Sequence, residues 1–208
     1  MCFHSKQSAD AQQLKKRYKA SFPQELAFQP SDEVNGFTHP LCPIITNTDP
    51  TTVQLASWGL IPAWAKDTAI QNSTLNAKIE TLHEKPSFQT VVNQRCLVPV
   101  TGFYEWHWLD SKGKHKEKYL ITCEASEIFS FAGLWSTWID PNTGMTQQSF
   151  AILTTAANEL MAAVHNSAKR MPIIITPSAE EEWLLGVNTP NIEQRLIATN
   201  LAAQQRLF

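Results

Sequence analysis

The part of the chain after residue 95 consists of β-branched and aromatic runs, and this pattern limits the possible folds more than any other feature. Gly, Asp and Lys turns separate the runs, as is typical of strands that pair with their sequence neighbours. The runs are Cys96–Val100, Phe103–Leu109, Lys118–Cys123, Ile128–Trp138 and Gln148–Thr154. They predict an α+β fold with a mainly antiparallel β core.

Helices and two further strands are predicted outside these runs. The predicted helices cover residues 8–20, 74–84, 156–164 and 178–186, and the strands cover Val53–Trp58 and Ile173–Thr176. Ser8 is the expected cap of the first helix, and Pro62 makes the segment after Gly59 an aromatic loop. No repeat, linker or composition break divides the chain, so we expect residues 1–208 to form one domain that acts as a monomer.

Composition excludes a disordered chain and a broadly basic nucleic-acid coat. Apolar residues make up 43% of the 208 residues and charged residues 17%, which is enough apolar material to bury a core. The net charge is −2, but a local cluster of basic residues comprises Lys112, Lys114, His115, Lys116 and Lys118. This lysine cluster is either a solvated hairpin tip around Gly113 or part of a basic groove.

The cysteine pattern favours a reduced, cytoplasmic protein. Cys2, Cys42, Cys96 and Cys123 are scattered without a CxxC pair, and no secretory signal precedes them. No apolar run approaches the ~18 residues that a membrane span needs. Cys2 and His4 have no second pair at zinc-binding spacing, so we expect no metal, no cofactor and no membrane partner.

Cys2 stands where the chain can acquire an unusual nucleophile. Aminopeptidases usually remove an initiator Met before a small residue, so we expect the mature chain to begin at Cys2. Its α-amine and thiol, with ordinary pKa values near ~8 and ~8.5, then lie on adjacent carbons. Such an aminothiol captures an aldehyde as a Schiff base, which the thiol closes to a thiazolidine. The alternative is an incidental thiol near a frayed terminus.

Three further motifs offer the acid, base and hydrogen-bonding groups that aldehyde capture needs. Asn76 opens the run Asn76–Glu80, and its amide can donate and accept at once. Glu105 lies inside Gly102–Trp106, where aromatic neighbours predict a raised pKa, unless the side chain points outward from the strand. His165 is either a catalytic base or a structural histidine.

Taken together, these motifs resemble the SRAP family (SOS response-associated peptidase), whose members crosslink to abasic sites in single-stranded DNA. The matching residues are Met1-Cys2, Trp58-Gly59-Leu60-Ile61-Pro62 with Trp64, Asn76-Ala77-Lys78-Ile79-Glu80, Gly102-Phe103-Tyr104-Glu105-Trp106, and His165 ahead of Arg170-Met171-Pro172. They follow the family's order over nearly the whole chain. Each motif alone is weak, but the ordered set is specific.

The resemblance implies a single SRAP domain with a barrel-like β core and peripheral helices. It implies a pocket that contains the nucleophile and its supporting groups, namely Cys2, Asn76, Glu105 and His165. It also implies a surface for unstacked bases that includes Trp58, Pro62 and Trp64. The implied partner is single-stranded DNA containing abasic sites.

In this interpretation, proton transfer is needed for ring opening and for imine formation. The abasic sugar rests mostly as a closed hemiacetal, so a group must open the ring before an aldehyde is available. We expect His165 to open the ring and Glu105 to shuttle protons while the imine forms.

The sequence departs from the family pattern at residues expected to bind phosphate. Phe3 and His4 replace the usual Gly-Arg after the cysteine, and Lys78 replaces the arginine of the usual Asn-Ala-Arg. The best substitute phosphate ligands are His4, Lys78 and Arg170. The expected positive groove comprises Lys78, Arg95, Arg170 and part of the lysine cluster.

Two departures concern spacing and length. The stretch between His165 and Arg170 is longer than the family's usual spacing. The chain ends at Phe208, where relatives usually continue into a further extended segment, which leaves a C-terminal truncation open.

Two other functions fit the same residues. A cysteine peptidase would use Cys2 as nucleophile and His165 as base, with self-processing before Cys2. A non-covalent single-strand binder would use the tryptophan loop and the lysine cluster. Three outcomes distinguish these functions. A covalent band on abasic DNA indicates crosslinking, peptide turnover indicates a peptidase, and binding without a band indicates a non-covalent binder.

Overall fold

The computed structural model describes residues 2–186 and 195–204 of the chain. Within these residues the strands are β1 (His4–Gln7), β2 (Ser31–Asn35), β3 (Leu41–Thr46), β4 (Asp49–Trp58), β5 (Asn76–Lys78), β6 (Arg95–Val100), β7 (Gly102–Trp108), β8 (Lys116–Cys123), β9 (Phe129–Ile139), β10 (Thr146–Ala156), β11 (Arg170–Pro172), β12 (Ile174–Ile175) and β13 (Leu196–Asn200). The helices are α1 (Ala11–Tyr18), α2 (Pro86–Gln89), α3 (Glu159–Val164), α4 (Glu180–Leu185) and α5 (Leu201–Gln204). Short 3-10 turns cover Glu25–Ala27, Gly36–Thr38, Ala69–Ser73, Ile79–Glu84 and Pro177–Ala179.

Five strands close into a barrel. Their order is β10–β4–β3–β6–β9, and β9 pairs again with β10 to complete the ring. The pairs are antiparallel except for β10 with β4, which run parallel. Short strands extend the wall, because β5 and β11 pair with β10 and β12 pairs with β9. The predicted α+β fold with a mainly antiparallel, barrel-like core and peripheral helices is confirmed.

A second, antiparallel sheet has the order β13–β8–β7–β1–β2. Strand β1 lies between β7 and β2, and its register places His4 opposite Tyr104 on one side and Asn35 on the other. Because Cys2 comes two residues before His4, this pairing holds the start of the chain beside the run Gly102–Trp106.

A cluster of buried apolar side chains joins the barrel to the second sheet. Its members include Phe103 and Ile121 from the sheet, Phe129, Phe131 and Phe150 from the barrel, and Cys2. The Phe103 and Phe131 rings meet edge to face with their centroids 5.5 Å apart. Cys2 therefore belongs to the apolar contact between the two sheets.

The first helix begins at Ala11, and the expectation that Ser8 caps it was wrong. Asp10 is the cap, because its carboxylate accepts a hydrogen bond from the Gln13 backbone N–H at 2.8 Å. The Gln13 side chain accepts in return from the Asp10 N–H, also at 2.8 Å, which completes a capping box. The Ser8 hydroxyl instead lies 3.0 Å from the hydroxyl of Thr101.

The segment predicted as a helix over 74–84 forms strand β5 followed by a 3-10 turn, which corrects that expectation. Parallel pairing of Asn76 with Ile152 on β10 takes the backbone groups that a helix would have used. Strand β1 was not predicted, and for the proline-punctuated stretch that contains β2 and β3 the sequence indicated only short extended segments. These strands are short or contain proline, as at Pro43 in β3, and therefore carry little alternation.

Gly59 ends strand β4 in a conformation that favours glycine. Its φ is +112°, and an added Cβ would lie 2.9 Å from the Gln71 carbonyl oxygen. Glycine at position 59 is thus required by the backbone. Among the described helices, none has the length and apolarity to cross a membrane.

Candidate active site

Cys2 lies fully buried at the start of β1, with none of its surface exposed. Its Sγ donates a long hydrogen bond to the His4 carbonyl oxygen at 3.7 Å. Burial raises the pKa of the Cys2 thiol well above its usual range, and the nearby Glu105 charge raises it further. The thiol is therefore protonated at neutral pH.

Asn76 holds the backbone of Cys2. Its position at the start of β5 is fixed by pairing with β10, and its Nδ2 donates to the Cys2 carbonyl oxygen at 2.8 Å. The Asn76 Oδ1 is buried and has no hydrogen-bond partner among the described residues. A buried acceptor of this kind is costly unless another donor reaches it.

Glu105 is a buried carboxyl group in the middle of β7. It is 3% exposed, and burial raises its pKa from the usual 4.5 to about 7. The sequence expectation of a raised pKa agrees with this environment, and the alternative of an outward-pointing side chain does not. A carboxyl group with this pKa can give and take protons near neutral pH.

His165 follows α3 and lies close to Glu105. Its Nδ1 is 2.9 Å from the Arg170 carbonyl oxygen and 3.7 Å from the Glu105 Oε2. Because a carbonyl only accepts, Nδ1 carries the hydrogen, and the neutral ring keeps its basic lone pair on Nε2. Burial lowers the pKa of His165, so the ring is mainly neutral at pH 7.

A cleft of about 310 Å³ reaches this pair of side chains. Its lining combines two titratable groups with apolar walls: Glu105 and His165 with Phe3, Trp106, Trp108, Lys116, Ser167 and Ala168. The structure thus brings Cys2, Asn76, Glu105 and His165 into one neighbourhood, through the Asn76–Cys2 bond, the influence of Glu105 on the thiol, and the Glu105–His165 approach. A proton donor, a proton acceptor and a nucleophile are all present.

Two of the expected phosphate ligands already bind carboxylates. His4 Nδ1 lies 3.1 Å from the Glu33 Oε1. The Arg170 guanidinium forms a bidentate pair with Glu80, with both distances 2.9 Å. Lys78 is exposed and forms no ion pair among the residues described. The positive groove expected from the sequence is therefore partly neutralised within the chain.

The aromatic residues expected to contact bases differ in accessibility. Trp58 is 1% exposed, its ring stacks on Phe150, and its Nε1 donates to the Leu75 carbonyl oxygen at 3.0 Å. It is a core residue here, and no base can stack on it in this arrangement. Pro62 is also buried, whereas Trp64 is 54% exposed.

Sequence reasoning missed several residues that line the cleft. Trp106 was named only as an aromatic neighbour of Glu105, Trp108 was not singled out, and Lys116 belonged only to the general lysine cluster. Alternation along a strand places Glu105 and Trp106 on opposite faces, so sequence alone does not predict that both reach one cleft. Arg95, an expected groove residue, instead stacks on Trp183, with 4.5 Å between the guanidinium carbon and the ring centroid.

Within residues 2–186 and 195–204, no group of three or more His, Cys, Asp or Glu side chains is arranged to hold a metal ion. The four cysteines are buried and unpaired with one another.

Curated proteins that are similar to this chain share one descriptive name. YoqW of Bacillus subtilis, an "abasic site processing protein", is 45% identical over 142 residues, which are 67% of this chain and 61% of YoqW. HMCES of Xenopus tropicalis, named in the same way, is 29% identical over 147 residues, which cover 61% of this chain and 43% of HMCES. The match thus spans less than two thirds of the length of each relative.

Solved structures and a family model agree with this fold. A crystal structure of a protein from Bacteroides thetaiotaomicron has a TM-score of 0.85 and 33% identity, covering 98% of this chain and 94% of that one. A Bordetella bronchiseptica protein, 21% identical, has the same fold with a TM-score of 0.76 over 96% of this chain and 100% of that chain. The family model "SOS response associated peptidase (SRAP)" matches residues 1–206. The chain belongs to the SRAP family.

Proposed function

We propose that this chain processes abasic sites in single-stranded DNA by forming a covalent bond through Cys2. The observation that carries the proposal is the placement of Cys2, held by Asn76, next to a buried Glu105–His165 pair with near-neutral proton chemistry. The names of YoqW and HMCES support abasic-site processing and a role in DNA repair.

The chemistry begins with removal of Met1, which turns the Cys2 nitrogen from an amide into an amine. The amine adds to the C1 aldehyde of the ring-opened sugar and loses one water molecule, which gives an imine. The Cys2 sulfur then adds to the imine carbon, and the thiol proton passes to the imine nitrogen. The net change is loss of one water molecule and formation of one C–N and one C–S bond in a thiazolidine.

Glu105 and His165 divide the proton transfers in this proposal. Glu105, with a pKa of about 7, gives a proton to the departing carbinolamine hydroxyl and takes one from the amine. His165 accepts the proton of the C1 hydroxyl on its Nε2 as the C1–ring oxygen bond breaks, and returns it to the released oxygen, which becomes the C4 hydroxyl. These roles need no thiolate at the start, which suits a thiol whose pKa burial raises.

Asn76 serves as a positioning residue. Its Nδ2 already binds the Cys2 carbonyl oxygen, and its buried Oδ1 lacks a partner among the described residues. We propose that Oδ1 accepts a hydrogen bond from the freed Cys2 amine and directs its lone pair toward the aldehyde. This bond satisfies an acceptor that is otherwise costly to bury.

A cysteine peptidase has weaker support. Peptidases of that type attack with a thiolate, which a neighbouring histidine stabilises by lowering the thiol pKa. Here burial and the Glu105 charge both raise the pKa of the Cys2 thiol, and the pKa of His165 is lowered. The electrostatics favour attack by an amine over attack by a thiolate.

The test is incubation with an abasic oligonucleotide followed by a denaturing gel, with the N-terminus identified by mass spectrometry. We expect a covalent band with the native protein and none with Cys2→Ala. Cys42→Ala, which removes another buried thiol, should retain the band and is the matched control. Cys2→Ser should leave only a hydrolysable imine that borohydride traps.

An N-terminal extension that keeps the Cys2 nitrogen as an amide should abolish both the stable band and the trapped imine. Equal crosslinking by the extended protein contradicts the aminothiol mechanism. Binding without any band indicates a non-covalent single-strand binder, and turnover of a peptide that depends on Cys2 indicates a peptidase.

A further inference from the structure

The basic side chains around the candidate active site fall into two groups. Glu33 binds both His4 and Lys118, at 3.1 Å and 2.6 Å. Glu80 binds Arg170 in the same neutralising way. Lys116 differs, because it lines the cleft with Glu105 and His165 and forms no ion pair among the residues that the structure describes. It is the cation of the cleft that is available for an external anion.

Lys116 is held in place without a carboxylate. It pairs with Trp108 across the β7–β8 ladder, and its Nζ lies 5.1 Å from the centroid of the Trp108 ring. A cation over an indole ring keeps its charge while its position is restricted. Lys116 is also exposed, so a phosphate can reach it.

Trp108 is itself fixed by its neighbours. Asn166 accepts from the Trp108 backbone N–H at 3.0 Å and donates to its carbonyl oxygen at 2.9 Å. Gly113 lies so close to the indole that an added Cβ would be 2.7 Å from ring atoms. The stretch between His165 and Arg170 thus contributes Asn166, which binds the backbone at the end of β7.

A second cleft, of about 410 Å³, adjoins the first. The two share Trp108 and Ser167, and the remaining lining comes from the hairpin and the turn: Leu109 and the polar residues Asp110, Ser111 and Asn166. Asp110 is committed to the hairpin, because its carboxylate accepts from the backbone N–H groups of Lys112, Lys114 and His115. The volume lies in the range of small-molecule sites, about 300–1,000 Å³.

We propose that this second cleft is a subsite for one nucleotide flanking the abasic sugar, with Lys116 as the ligand of the intervening phosphate. The inference rests on the proposed function, because it assumes that the sugar occupies the first cleft. A strand that passes from one cleft to the other crosses the shared Trp108 edge, where Lys116 is located. The polar walls then face a nucleotide, and the apolar walls face the sugar that has lost its base.

The experiment compares Lys116→Gln with Lys16→Gln, an exposed lysine on α1, as the matched control. Three strands are used, with the abasic residue internal, at the 5′ end or at the 3′ end. Crosslinking by Lys116→Gln should be about tenfold slower on the internal site, the scale of one charge-assisted hydrogen bond. Lys116→Arg should restore at least half of the rate.

The end-placed strands identify the flanking nucleotide. One end-placed strand lacks the nucleotide that would occupy the second cleft, and on it the native protein and Lys116→Gln should react at the same rate. On the other end-placed strand, Lys116→Gln should remain slower than the native protein. A deficit of equal size on all three strands overturns the subsite, and so does a deficit that Lys16→Gln shares.

The subsite and the proposed function can fail separately. Affinity for strands that carry a tetrahydrofuran analogue, which has no aldehyde, is measured against salt. Lys116→Gln should reduce the salt slope of log affinity by about one for the strand that keeps the flanking nucleotide. An unchanged slope contradicts the subsite even if crosslinking occurs, whereas a reduced slope without crosslinking supports the subsite and contradicts the aldehyde chemistry.

Discussion

Glu105 and His165 lie within 3.7 Å of each other, yet burial favours the neutral form of each. Desolvation removes the advantage that an ion pair has in a polar setting. With a pKa of about 7, Glu105 is half protonated at pH 7, so the pair is a partly protonated acid beside a neutral base and not a fixed salt bridge. That state stores a transferable proton at pH 7, which is what imine formation needs.

The raised pKa of Glu105 predicts a pH-dependent stability. Between pH 4.5 and about 7 the unfolded chain loses the Glu105 proton and the folded chain keeps it, so the folded state loses stability as pH rises. Glu105→Gln removes this cost. We expect its free energy of unfolding to exceed that of the native protein by on the order of 3 kcal/mol at pH 8 and to match it near pH 4.

Urea unfolding at the two pH values measures this difference. Glu181→Gln, which changes an exposed carboxylate on α4, is the control. Equal effects of Glu105→Gln at pH 4 and pH 8 would show that Glu105 ionises freely in the folded protein.

At the scale of elements, the sequence predicted the strands that carry their own pattern. The long runs of β6 to β10 were recognisable because each combines β-branched, aromatic or other apolar residues between turns. Strand β5 was not, because its three residues are stabilised by parallel pairing with β10 and resemble the start of a helix. Tertiary pairing decided the structure there.

Site residues could likewise be predicted only where the neighbours that determine their environment are close in sequence. Glu105 could be predicted, since its aromatic neighbours are adjacent in sequence. The pairing of Arg170 with Glu80 could not, because the partners are 90 residues apart. The ties of Asn166 to Trp108, 58 residues apart, also depend on how α3 meets β7.

The capping box of α1 makes a second prediction. Asp10→Ala removes the acceptor for the Gln13 N–H and should lower the free energy of unfolding by about 1 kcal/mol. Asp10→Ser preserves a capping oxygen and should retain most of the stability. Thermal unfolding of the two variants measures the difference, and equal losses would mean that the side-chain cap contributes little.

Across the described part of the molecule, several acids hold basic side chains near the candidate active site. Net charge is −2, and Glu33 and Glu80 bind His4 and Arg170, two basic residues that the sequence assigned to phosphate. Glu33 sits on β2, at the end of the second sheet, and is 44% exposed in its side chain. Under the proposed function, a DNA phosphate must displace such a carboxylate before it binds His4 or Lys118.

Glu33→Gln should therefore increase affinity for single-stranded DNA several-fold and steepen its salt dependence by about one phosphate. Fluorescence anisotropy with a labelled strand at several salt concentrations measures both quantities. Asp32→Asn, which frees Lys6 at the neighbouring position, is the control. If Asp32→Asn raises affinity equally, the effect reflects net charge and not the position of Glu33.

The burial of Cys2 between the two sheets has a consequence for the oxidation of its thiol. Peroxide and soluble disulfides react with exposed thiolates, and here the thiol is protonated and buried. We therefore expect these oxidants to modify Cys2 slowly. The apolar packing that supports the fold also protects its reactive sulfur.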